Sequence, residues 1–94
     1  MMKIVWTSHA EERQKEWWKK LGITREEVEK LLMKPEQTVS GDRDVLIAQG
    51  RRGKGLLRVA FVEVEESRKV LTIYWTSKIE KYWKKEEQVN EDPV

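Results

Sequence analysis

Two stretches rich in β-branched and aromatic residues, 56–64 and 70–76, constrain the fold of this chain more than any other feature. Only residues 65–69 separate them, so they are predicted to form an antiparallel hairpin. Because side chains alternate along a strand, one face of this hairpin is predicted to be wholly apolar and to need a covering layer. Its expected members are Leu57, Val59, Phe61, Leu71, Ile73 and Trp75.

The opposite face of the hairpin is predicted to be mixed in polarity. Its expected members are Arg58, Ala60, Val62, Thr72, Tyr74 and Thr76. A charged side chain in the middle of a strand is costly to bury without a partner. We therefore expect Arg58 to point into an open, concave surface beside Tyr74.

The remaining segments predict an α+β domain in the order β-α-α-β-β-β-β-α. Strands are expected at 4–6, 37–40 and 45–49, and three capping boxes mark the helix starts. These boxes are Ser8 with Glu11, Thr24 with Glu27, and Ser77 with Glu80. Gly22 suits the left-handed residue that closes the first helix, and Pro35 ends the second.

The expected architecture is two N-terminal helices packed on one face of a mostly antiparallel four- to five-stranded sheet, followed by a short C-terminal helix. Residues 1–85 are predicted to form this single domain, and 86–94 a disordered acidic tail. Four of the five tryptophans are expected in the core, and Trp18 is expected to be exposed. No segment is long and apolar enough to span a membrane and no signal peptide is evident, so a cytoplasmic location is predicted.

Charge is distributed unevenly along the 94 residues. The net charge of +2 combines zero over residues 1–50, +6 over 51–85 and −4 over 86–94. A basic second half favours an anionic partner, although a charged surface that only keeps the domain soluble is the alternative. The chain has no cysteine and one histidine, so neither a thiol nucleophile nor a metal-ligand cluster is expected, and no cofactor is predicted.

The segment 50–55 holds three glycines and three cations, which is a composition that suits phosphate binding through backbone N–H groups. It is not a P-loop, because Gly55 follows Lys54 where that motif needs Ser or Thr and a helix. The alternative is an ordinary hairpin loop that its charges keep soluble.

Several short motifs together resemble one family of small proteins. They are 7–13 (TSHAEER), 22–24 (GIT), Glu27-Val28, Leu31, Pro35-Glu36, Val39, Gly50-Arg51 and Arg58-Val59. This pattern resembles the DUF4258 family, which is similar to the RelE/ParE-like toxins of toxin–antitoxin pairs, and the resemblance spans residues 4–83. It departs from the family in its tryptophan-rich first helix and in the ending at 78–83.

The resemblance implies a RelE-like fold and a toxin that cleaves mRNA, free or ribosome-bound, without a metal, and that a cognate antitoxin silences. Such cleavage needs a base, an acid and cations for the developing charge. The candidate catalytic residues are His9, Arg13, Arg58 and Tyr74, and the candidate RNA-binding residues are Arg51, Arg52, Lys54, Lys78 and Tyr82.

Two alternatives stay open. The protein is either the RNA-cleaving toxin that the resemblance implies or a non-catalytic module that binds nucleic acid or protein through the same basic face. His9 and Arg13, four residues apart at a helix start, also have two interpretations. In the first, they form an anion-binding pair. In the second, they are structural, with His9 bonded to a neighbouring strand and Arg13 paired with Glu12 or Glu16. The sequence predicts no oligomeric state.

Overall fold

A computed structural model describes residues 2–85 of the chain. Five strands form one sheet in the order β1-β5-β4-β3-β2, in which β1 runs parallel to β5 and all other neighbours are antiparallel. The elements in chain order are β1 (Lys3–Trp6), α1 (Ser8–Leu21), α2 (Arg25–Met33), β2 (Gln37–Ser40), β3 (Leu46–Arg52), β4 (Gly55–Val64), β5 (Ser67–Thr76) and α3 (Ile79–Tyr82). The predicted α+β class, with two helices before a mostly antiparallel sheet and a short one after it, is confirmed.

Helices α1 and α2 cover one face of the sheet, which we call the helix face. α1 packs on β5, and α2 packs on β3 and β4. Ala10 on α1 and Val28 and Leu32 on α2 are fully buried in one core cluster that also contains Leu57 and Val59 of the sheet. Burial of each such apolar side chain stabilises the fold by roughly 1.5–3 kcal/mol, so this layer supplies most of the domain's hydrophobic stabilisation.

The caps of α1 and α2 are side-chain hydroxyls. The cap of α2 is Thr24, as predicted, and its oxygen accepts a hydrogen bond from the Glu27 N–H at 3.0 Å. The cap of α1 is Thr7 rather than the predicted Ser8, because the Thr7 oxygen accepts from the Ala10 N–H at 3.1 Å and also donates to the Val70 carbonyl at 2.8 Å. One hydroxyl therefore ties α1 to β5. Gly22 ends α1 at a φ of 71°, as expected.

The third capping box, predicted at Ser77 and Glu80, is wrong. α3 is a single turn of four residues whose start has no side-chain cap, and the Lys78 N–H instead bonds the Thr76 hydroxyl. No side chain of α3 is fully buried. This helix is therefore less firmly anchored than α1 and α2.

A β-bulge changes which residues of β5 face the core. Register pairs Ala60 with Thr72 but Phe61 with Val70, so Leu71 is left without a partner. Val70 is fully buried, while Leu71 stays partly exposed. The prediction that Leu71 joins the apolar face is wrong, because an extra residue on one strand reverses the alternation beyond it.

The glycine-rich segment 50–55 is strand rather than loop. Gly50 to Arg52 belongs to β3 and Gly55 to β4, and only Gly53 and Lys54 form the turn between them. A Cβ at Gly55 would lie 2.1 Å from the Thr76 carbonyl oxygen, and Gly53 has a φ of 63°. These glycines serve close strand packing and a tight turn, so the segment is two strand ends joined by a two-residue turn.

The face opposite the helices, which we call the far face, is covered over part of its area by residues 78–85. We call these residues the C-terminal cover. The predicted acidic tail at 86–94 lies outside the described residues. Among residues 2–85, no helix has the length and apolar character needed to cross a membrane.

Candidate nucleic-acid interface

Four polar residues lie side by side across four strands of the far face. In the strand register, Gln37 on β2 pairs with Gln49 on β3, Gln49 pairs with Arg58 on β4, and Arg58 pairs with Tyr74 on β5. Paired residues project on the same side of a sheet, so their side chains form one continuous line. We call this line the polar row.

Hydrogen bonds connect every neighbour in the polar row. The Gln49 amide donates from Nε2 to Oε1 of Gln37 at 2.9 Å, and its own Oε1 accepts from Nε of Arg58 at 2.8 Å. Nη1 of Arg58 in turn donates to the Tyr74 hydroxyl. Arg58 is thereby held from two sides, which fixes the plane of its guanidinium group.

Arg58 is buried, with 5% of its surface exposed. The Tyr82 ring of the C-terminal cover lies over it, 4.1 Å from ring centroid to guanidinium carbon, and the Tyr74 ring centroid is 5.3 Å away. The prediction that Arg58 stands beside Tyr74 is confirmed, and the prediction that it faces an open surface is wrong. The reason is that Tyr82 closes the far face above it.

The buried charge of Arg58 has neutral partners. None of the ion pairs formed within residues 2–85 includes Arg58. Two of its five N–H groups donate to Gln49 and Tyr74, and in this part of the chain the other three meet no hydrogen-bond acceptor. A desolvated guanidinium group with unused N–H donors can bind an anion.

The C-terminal cover is attached to the polar row through its backbone. Nε2 of Gln49 donates to the Tyr82 carbonyl at 3.0 Å. Gln37 holds the next alternate residue, because its Nε2 donates to the Lys84 carbonyl and its Oε1 accepts from the Lys84 N–H at 3.0 Å. Two side-chain amides therefore bind an extended segment in the way that a neighbouring strand would.

Tyr74 remains a neutral phenol near pH 7. Burial raises the pKa of its hydroxyl above the usual value of 10.0, and the nearby Tyr82 adds to the rise while the Arg58 charge opposes it. Tyr74 can thus accept a hydrogen bond from Arg58 and donate one to a ligand, but it is a poor general base.

The outer surface of the C-terminal cover is basic, and a partly exposed tryptophan lies at its edge. Lys78, Lys81, Lys84 and Lys85 are exposed, and Glu80 is the acidic residue among them. At its edge, the Arg51 guanidinium on β3 lies 5.1 Å from the ring centroid of Trp83. Trp83 packs on this cation and not in the main core, contrary to the prediction made for it, whereas Trp18 is exposed as expected.

The four predicted catalytic residues do not meet. His9 and Arg13 are exposed on α1, which covers the helix face, while Arg58 and Tyr74 belong to the far face. The sheet lies between the two pairs. Arg13 forms an ion pair with Glu16 at 3.2 Å, which is the structural alternative considered for it.

The predicted RNA-binding residues also divide between the two faces. Arg51, Lys78 and Tyr82 lie at the far face or on its cover. Arg52 alternates to the helix face, where its Nε bonds Oε2 of Glu27 on α2 at 2.8 Å. Lys54 is exposed at the tip of the β3–β4 turn.

Sequence reasoning missed Gln37, Gln49 and the role of the cover. Gln49 is fully buried in an otherwise apolar stretch of β3, and a polar residue at such a position is a usable signal. Gln37 carries no comparable signal, because its place in the row depends on strand register.

Comparison of the chain with protein-family models, with curated proteins and with solved structures finds no match in any of the three. The resemblance to DUF4258 therefore stays a prediction that depends on the motifs quoted above. Within residues 2–85, no three His, Asp or Glu side chains gather in a group able to hold a metal ion.

Proposed function

We propose that this protein is a cytoplasmic module that binds single-stranded RNA through the outer surface of the C-terminal cover and the adjacent Arg51. The observation that carries the proposal is the pairing of exposed cations with a partly exposed tryptophan ring on one short segment. Four lysines and Trp83 lie within residues 78–85, and Arg51 stacks on that tryptophan.

Single strands suit this surface for two physical reasons. Lysine and arginine side chains neutralise phosphates and release condensed counterions, which supplies most of the sequence-independent affinity. Aromatic rings and arginine planes stack on bases, at about 1–3 kcal/mol for each base. The surface has both kinds of group side by side, whereas duplex recognition needs an element that fits a groove.

Binding is favoured over cleavage because the candidate catalytic residues are separated. A metal-independent nuclease needs a base and an acid at the same phosphate. His9 is on the side of the helices, and the raised pKa of Tyr74 keeps its hydroxyl protonated. The toxin activity and the cognate antitoxin remain predictions from the family resemblance.

The test is a salt titration of binding to a fluorescein-labelled U12 RNA, followed by anisotropy. A triple variant, Lys81→Gln, Lys84→Gln and Lys85→Gln, removes three charges from the cover. Because each lost phosphate contact lowers the magnitude of the log–log salt slope by about 0.7, the triple variant is expected to lower it by about 2.

The matched control removes three exposed lysines from the helices: Lys15→Gln, Lys19→Gln and Lys30→Gln. This control lowers the net charge by three, as the first triple variant does, and is expected to retain most of the affinity for U12. Equal losses in the two triple variants would show a diffuse charge effect and contradict the proposed surface. Cleavage of the RNA in EDTA, run alongside on a gel, would favour the nuclease instead.

A further inference from the structure

We propose that the polar row is a second, sheltered phosphate-binding site for the same RNA strand, and that it opens when the C-terminal cover lifts. This inference rests on the proposed function and adds to it a specific phosphate-binding residue, Arg58, and an autoinhibitory contact, Tyr82. Its starting point is the buried guanidinium group of Arg58, three of whose donors meet no acceptor within residues 2–85.

The chemistry of the row selects an anion with several acceptor oxygens. A guanidinium group offers parallel N–H donors that match phosphate oxygens. Gln49 and Tyr74 hold this group in place from both sides, so little side-chain entropy is lost when a ligand binds. The Tyr74 hydroxyl, neutral at pH 7, can donate a further hydrogen bond to the same phosphate.

The closed arrangement leaves Arg58 desolvated without a carboxylate beside it in the described part of the chain. Removing a cation from water is unfavourable, and an adjacent anion normally offsets this cost. Neutral hydrogen bonds and the Tyr82 ring offset part of it here. A phosphate on Arg58 would supply the missing countercharge.

The attachment of the cover is slight enough for it to lift. α3 is one turn long, has no side-chain cap and buries no side chain fully. Beyond this turn, the backbone of the cover is held to the row at two places, the Tyr82 carbonyl and the Lys84 peptide groups. Elements with so few buried contacts open locally at low free-energy cost. A ligand that binds only the open form shifts the population toward it.

Lifting the cover also frees one more donor of the row. One hydrogen of Gln49 Nε2 loses its backbone acceptor, the Tyr82 carbonyl, and becomes available to the RNA. The lysines of the cover stay attached to the chain at Ser77, so they can contact the strand from its other side. The bound strand would then lie between the row and the cover.

The experiment weakens the attachment without altering charge or aromatic content. Gln37→Ala removes both hydrogen bonds to Lys84 and the one that Gln37 accepts from Gln49, while the two bonds that Arg58 donates remain. Thr38→Ala, at the next residue on β2, is the matched control because Thr38 is exposed and alternates to the other face. With the U12 probe at low salt, Gln37→Ala is expected to raise the affinity about three- to tenfold, because the open fraction limits the apparent affinity.

Arg58→Gln in the Gln37→Ala background is expected to abolish this gain in affinity. Tyr82→Ala provides a second way to open the row and should reproduce the gain. In the unmodified protein, adding U12 should accelerate hydrogen exchange at the Lys84 amide, which bonds Gln37 only while the cover is down.

The inference is overturned if Gln37→Ala and Tyr82→Ala bind U12 with the affinity of the unmodified protein. It is also overturned if the gain survives Arg58→Gln, or if U12 slows exchange at Lys84. These failures differ from failure of the proposed function. In that case, the triple lysine variant of the cover would bind U12 with the same affinity and salt slope as the unmodified protein.

Discussion

The two faces of the sheet are stabilised in different ways. The helix face is covered by two capped helices whose apolar side chains interlock with Leu57, Val59 and Phe61. The far face holds a hydrogen-bonded polar row under a single uncapped turn and a few residues of extended chain. One strand, β4, contributes to both, because its residues alternate between them.

This difference separates stability from function within a small domain. Apolar burial is non-directional and roughly proportional to area, so the helix face can hold the fold together without specific chemistry. A polar network in a low-dielectric site is directional and depends on every partner being present. We therefore expect substitutions on the helix face to change the free energy of unfolding, and those on the far face to change ligand binding.

The largest expected effect comes from two adjacent leucines that project to opposite faces. Leu57 is 2% exposed in the main core, while Leu56 is fully buried on the far face outside that cluster. Leu57→Ala should lower the free energy of unfolding by about 3–4 kcal/mol, since the layer around it cannot collapse. Leu56→Ala should cost about 2 kcal/mol or less, because the loosely attached cover can settle into the space.

Urea denaturation of the two leucine variants measures the comparison directly. Equal decreases in the free energy of unfolding would show that the cover is packed as rigidly as the helices. A larger loss for Leu56→Ala would reverse the roles assigned to the two faces.

Helix caps give a second, smaller contrast. Thr24→Ala removes the hydroxyl that caps α2 and should lower the free energy of unfolding by about 1 kcal/mol. Ser77→Ala, at the residue that sequence reasoning chose as the cap of α3, should change it by less than about 0.5 kcal/mol, because that hydroxyl caps nothing among the described residues. Thermal unfolding of both variants tests this contrast. If Ser77→Ala lowered the free energy of unfolding by about 1 kcal/mol, Ser77 would act as a cap, as the sequence predicts.

The smallest expected effect is a pH dependence that comes from Tyr74. Burial raises the pKa of its hydroxyl in the folded protein, so the neutral form stabilises the fold below pH 10. This contribution is lost as the pH rises from about 10 through the higher pKa of the folded state. Tyr74→Phe should therefore flatten the decline in the free energy of unfolding above pH 10, measured by urea denaturation. An unchanged slope would show that the Tyr74 hydroxyl is solvated.

The sequence carried enough information for the class of fold and the division of β4 between two faces. Alternation is unambiguous at Leu57, Arg58 and Val59, because a charged residue lies between two apolar ones. Thr24 and Gly22 were also predictable, because capping depends on a few local residues. Alternation failed at Leu71, since a bulge depends on the partner strand.

The candidate site was less predictable because long-range pairing builds it. Arg58 and Tyr74 were placed together by alternation, but Gln37 and Gln49 join them only through strand register. The burial of Arg58 depends on Tyr82, which reaches it by a return of the chain after β5. Local patterns at residues 77–83 suggested a capped helix and gave no sign of this return.

Native-state hydrogen exchange tests most directly the central claim that the far face is closed by a weakly held cover. The amides of β4 should exchange only on global unfolding, at 5 kcal/mol or more for a typical domain. The Trp83 and Lys84 amides, bonded to the Ile79 carbonyl and to Gln37, should exchange by local opening at below about 2 kcal/mol. Opening free energies at these two amides that match those of β4 would contradict the account.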